Sequence, residues 1–133
     1  MRWTLMLLIA AAPQAWAQTL SYDEFKRSVQ PIFLEKRAGH TRCYVCHNAE
    51  RSNSALRLAM LSPGAKSWNE AQSKQNFETV ARLVTPGKPE ASLLLLHPLA
   101  PEAGGDAYHS GGRQFENRDD PDWKRLERWV RGG

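Results

Sequence analysis

The only two cysteines of this 133-residue chain stand three apart, and a histidine follows at once: Cys43-Tyr44-Val45-Cys46-His47. A bridge between such close cysteines would close a tiny loop and remove little chain entropy, so a structural staple explains them poorly. Zinc would ask for four ligands in a tetrahedron, and there is no second cysteine pair. A thioredoxin-like redox pair would ask for strands around C-x-x-C, and no run here alternates convincingly. Chance occurrence in a structural loop is the plain alternative. The order of residue types is, however, that of C-x-x-C-H, the c-type haem attachment signature. Each thiol adds to one vinyl group, and the two intervening residues let the backbone turn between neighbouring ring edges. The adjacent histidine is then directed under the iron. The sequence therefore predicts one covalent haem c, with Cys43 and Cys46 as thioether anchors and His47 as proximal iron ligand.

The N-terminus agrees with that chemistry, because c-type haem is attached outside the cytoplasm. Met1-Arg2-Trp3 gives a short positive start, Thr4 to Ala12 is apolar, and Pro13 ends the run. Ala15-Trp16-Ala17 supplies the small-x-small pattern of a signal peptidase site. The expectation is a cleavable signal over residues 1–17 and a single domain over 18–133, exported to the periplasm or beyond the cell. The apolar run is shorter than the roughly 20 residues of a membrane span, so no stable span remains after cleavage; an uncleaved anchor is the alternative. Charge says less: 18 Lys and Arg against 14 Asp and Glu, a formal +4, are spread along the chain. No aromatic-interleaved basic patch of the nucleic-acid-binding kind stands out. Mean hydropathy is −0.57, and two of the five tryptophans lie in the leader. A domain with so thin a core is one that a large, flat, apolar cofactor would complete.

The remaining pattern is helical. Residues 20–36 carry a capping box at Ser21 to Glu24, a hydrophobic staple of Leu20 and Phe25, and a stripe of Tyr22, Phe25, Val29, Ile32 and Phe33. Pro31 should kink or restart this run. A second helix is expected over Trp68 to Val84 and a short third around Leu93 to Leu96. The last begins at Asp120-Pro121 and buries Trp123, Leu126, Trp129 and Val130. Between Leu99 and Asn117 the chain is Gly-rich and reads as a long loop, a length usually tied to function or disorder. The fold class expected is all-α, about four helices with long loops wrapped around one haem.

With the motif placed, the chain resembles a class I cytochrome c, in particular the small planctomycete-type haem domains. Val29-Gln30-Pro31-Ile32-Phe33 matches their V-x-P-I-F before the haem motif, and Leu56-Arg57-Leu58 their L-x-L after it. Pro86-Gly87-Lys88-Pro89-Glu90-Ala91-Ser92-Leu93-Leu94 matches P-G-x-P-x-x-S-L-L, and Leu126-Glu127-Arg128-Trp129 the L-x-x-W of the last helix. The family often places Met in a distal loop before that helix; here Tyr108-His109-Ser110-Gly111-Gly112 stands instead. The resemblance thus implies His109 as distal iron ligand and bis-His iron. The glycines around it can bring backbone close to a flat ligand. His97, Met60 and an open site are the alternatives, and His40 is too near the attachment loop to reach the opposite face easily.

The function expected is electron transfer rather than enzymatic catalysis. Redox partner proteins are expected, such as a periplasmic dehydrogenase or a membrane electron-transfer complex. The alternative is a haem enzyme or gas-sensing cytochrome whose sixth site is open or displaceable.

Overall fold

A computed structural model describes residues 19–133. The leader expected over 1–17 lies outside these residues. The described residues form helices and no strands, consistent with an all-α class: five α-helical segments, one π-helical stretch, short 3₁₀ turns and two isolated β-bridges, Asn48–Leu58 and Leu99–Phe115. None of its helices is long and apolar enough to cross a membrane.

The first helical run changes its winding twice. Helix α1, Tyr22–Glu24, passes into a π-helical stretch, Phe25–Val29, and then a 3₁₀ turn, Gln30–Phe33, with Pro31 at its start. The proline has no amide to donate back to an α-helical carbonyl, which accounts for the changed winding beside it. Phe25, Val29, Ile32 and Phe33 are buried, as their spacing predicts, and Tyr22 is half-buried. Only half of the capping box forms: the Glu24 amide donates to Ser21 Oγ at 3.1 Å, while the Glu24 carboxylate turns to Arg27.

Helix α2, Cys43–His47, holds the cysteine motif itself. The chain then doubles back. The amide of Leu58 donates to the His47 carbonyl at 2.7 Å, and that of Ala49 to the Leu58 carbonyl at 2.8 Å. Helix α3, Glu70–Ala81, is shorter than the predicted Trp68–Val84. Its start is fixed by Asn69, whose side chain and that of Gln72 cap each other's amides. Trp68 stays outside the helix because its indole N–H donates to the Ala59 carbonyl at 2.6 Å.

Helix α4, Leu93–Leu96, is anchored by the fully buried Ser92. Its hydroxyl donates to the Lys88 carbonyl at 2.8 Å and accepts from the Thr85 amide at 3.0 Å. Gly87, at φ +79°, turns its amide onto the Val130 carbonyl at 2.7 Å and so ties this segment to the last helix. Helix α5, Pro121–Val130, begins as the sequence predicts, with Asp120 accepting from the amides of Asp122 and Trp123. Trp123, Leu126, Trp129 and Val130 are all buried. The Trp129 ring lies 5.5 Å from that of Phe25, and its N–H reaches the Ser21 carbonyl at 2.8 Å. The two ends of the described chain are thereby locked together.

Candidate haem site

Each of the four sequence signatures has a local reason to fold toward one place. Ile32 and Phe33 from the first run, Leu56 from the doubled-back segment, Leu93 and Leu94 from α4, and Leu126 from α5 all line one crevice. It has a volume of about 250 Å³ and is bounded on one side by Cys43, Cys46 and His47 of α2. His97, His109 and Phe115 line it as well. The walls are thus mostly apolar side chains and the polar groups are few and convergent, the usual make-up of a cofactor site.

The two imidazoles singled out by sequence both line this crevice, with ring centres 6.1 Å apart and planes inclined by 32°. Imidazoles sharing one metal atom at about 2.0 Å from each nitrogen have ring centres roughly 6 Å apart. Their hydrogen bonds matter as much as their spacing. His47 Nδ1 lies 3.1 Å from the Leu56 carbonyl and 3.1 Å from Ser54 Oγ. His109 Nδ1 lies 2.6 Å from the Gly112 carbonyl. A carbonyl only accepts, so Nδ1 carries a proton in both rings, and the tautomer this selects is the one whose Nε2 lone pair a metal could use. Burial pushes the His47 pKa down; the bond to Leu56 opposes this, and the neighbouring His109 and His97 add to it. His47 is accordingly held neutral.

Cys43 and Cys46 carry free thiols, the first half-buried and the second exposed. Burial raises the Cys43 pKa to about 11, against smaller lowering effects that include the Arg37 charge, so this thiol is protonated at neutral pH. Both sulfur-bearing residues line the crevice beside His47. The donor set fits a covalently held haem in kind: two thiols and two imidazoles tethered through Nδ1 line one largely apolar crevice. Among the described residues, no three His, Cys, Asp or Glu side chains converge as a metal-ion group.

The distal wall is made by the long Gly-rich segment, which closes on itself rather than trailing free. The amides of Gln114 and Phe115 donate to the Pro98 carbonyl at 3.0 and 3.1 Å, and that of Ala100 to the Phe115 carbonyl at 2.8 Å. A 3₁₀ turn, Pro101–Ala103, starts the loop. Gly105 packs so closely that a Cβ there would fall 2.0 Å from the Leu99 carbonyl oxygen. No protein family, curated protein or solved structure matches this chain.

The other sequence candidates separate clearly. His97 caps α4 and joins the site; its ring centre is 5.0 Å from that of His109 and its Nδ1 3.1 Å from Asp106 Oδ2. Met60 lies away from the crevice. Its side chain is exposed, its sulfur is 3.9 Å from the Tyr44 hydroxyl, and its carbonyl accepts from Gln72. His40 lines a separate polar cleft with Arg37 and Asp120. Sequence reasoning passed over Gln114, buried at the edge of both cavities with its Nε2 donating to the Thr41 carbonyl at 3.3 Å. Its neighbourhood is created by long-range loop closure, and no local signal announces it.

Proposed function

We propose that this chain is an exported single-haem c-type cytochrome that carries electrons. Cys43 and Cys46 would form the two thioethers, His47 the proximal bond and His109 the distal one. The observation that carries this reading is the pair of Nδ1-tethered imidazoles, with ring centres 6.1 Å apart, lining one largely apolar crevice together with Cys43 and Cys46. A haem bound there supplies a reversible one-electron couple at iron. The protein's part would be to offer His47 and His109 as ligands from its own side chains and to exclude water with Ile32, Phe33, Leu94, Phe115 and Leu126. An iron held by both imidazoles would have no open place for a substrate, which favours electron transfer over catalysis. The partners of such a carrier are other redox proteins outside the cytoplasm.

The test is to express the chain with its leader in a host that attaches c-type haem, and to examine the purified product spectroscopically. Ferric iron should be six-coordinate and low-spin, and the reduced form should not bind carbon monoxide. A high-spin ferric form with full carbon monoxide binding would instead support an open-site haem enzyme or gas sensor.

A further inference from the structure

His97 is the one imidazole at the crevice that the electron-carrier reading leaves without a task. Its ring meets the His109 ring edge to face, 5.0 Å between centres and 74° between planes. Both rings line the same crevice. Its Nδ1 is 3.1 Å from the Asp106 carboxylate, and Asp106 is itself fixed by its amide, which donates to the Leu96 carbonyl at 2.9 Å. A carboxylate on Nδ1 orients an imidazole and strengthens its Nε2 as a ligand. His97 therefore carries the same preparation for metal binding as His47 and His109, with a stronger acceptor behind it.

The two distal histidines differ in what holds them. His97 follows directly on α4, beneath which Leu94 and Leu95 are buried. His109 sits on the loop, and its tether runs to Gly112. Gly111 and Gly112 stand at φ +89° and +95°, and a Cβ at either would meet nothing within 4 Å. The loop tip is thus unpacked where His109 is held, while His97 rests on a helix with a buried face.

We propose that His97 is a second, alternative distal ligand: when His109 leaves the metal, His97 Nε2 takes the same coordination position. This rests on the haem reading above. The exchange is balanced, since one neutral imidazole–iron bond breaks and another forms, with no electron or proton transferred. The site then keeps six-coordinate iron through movement of the loop tip, and the ligand pair on the distal side offers two low-spin states.

Haem-loaded His109→Ala and His109→Gly, each compared with wild type and with His97→Ala/His109→Ala, provide the test. The expected result is low-spin ferric EPR with shifted g values in both single variants, and no carbon monoxide complex on reduction. The double variant should be high-spin and form that complex completely. Single variants that are high-spin and bind carbon monoxide as fully as the double variant would overturn the proposal, leaving His97 a positioning residue for His109. A wild-type chain that acquires no covalent haem in an attachment-competent host would overturn the underlying reading, and this inference with it.

Discussion

At Arg37 one side chain joins three parts of the chain. Its guanidinium hydrogen-bonds Asp120, reaches Asp122 Oδ2 at 2.6 Å, and lies 4.7 Å from the centre of the Phe115 ring. Asp120 is at once the N-cap of α5 and the partner of Arg37. Burial would raise its carboxyl, but bonds from Arg37 and from the amides of Asp122 and Trp123, with the Arg37 charge, hold it below its ordinary value near 3.8. A carboxyl depressed in the folded state stabilises fully above its unfolded pKa, and that contribution is lost as pH falls through the folded one. Asp120→Ala should cost about 2–3 kcal/mol at pH 7, combining a lost cap with a half-stranded, mostly buried charge. Urea unfolding of both proteins at pH 7 and pH 3 checks this: the gap between them should narrow at the lower pH. At Gly105 the constraint is space. Gly105→Ala would push a methyl group against the Leu99 carbonyl and should destabilise by about 1–3 kcal/mol, visible as a lowered urea midpoint. The Asp120 cap is local and legible in the sequence; the contacts of Arg37 and the tight packing of Gly105 are not, because they appear only once the chain has closed.

At the scale of elements, legibility followed locality. Helix α5 announces itself through Asp120, Pro121 and an apolar face at positions 123, 126, 129 and 130, all of them nearest-neighbour information. Helix α3 was harder because Trp68 looks like a helical core residue, whereas its indole is claimed by Ala59, well outside the helix. The π and 3₁₀ windings of the first run carry no period that sequence reading separates from an α-helix. Asn76 shows what holds α3 in place. It is fully buried, its Oδ1 accepts from the Ala59 amide at 2.7 Å, and its Nδ2 faces Gln30 Oε1 at 3.4 Å. Asn76→Leu would strand the Ala59 N–H and should cost about 1–3 kcal/mol, measured by the thermal midpoint of the loaded protein. A variant as stable as wild type would show that this polar link does not secure the helix.

At the scale of the whole molecule, helices from both ends of the described chain and the loop between α4 and α5 enclose one crevice. The sequence points to Cys43, Cys46 and His47, because C-x-x-C-H is contiguous, and the structure places all three along this crevice. The sequence left the distal side open among His109, His97 and Met60, because that choice depends on how a Gly-rich loop closes. The structure brings the two histidines to the crevice and leaves Met60 exposed outside it. On the proposed bis-His ligation, with no thioether to raise the potential, the midpoint in a potentiometric titration should lie below that of a His/Met carrier of similar size. The covalent attachment on which all of this depends is tested most directly by the intact mass of the exported protein from a haem-attaching host. One tetrapyrrole adduct per chain is the predicted result, absent from Cys43→Ser/Cys46→Ser; a folded wild-type protein at the unmodified mass of its polypeptide would contradict it.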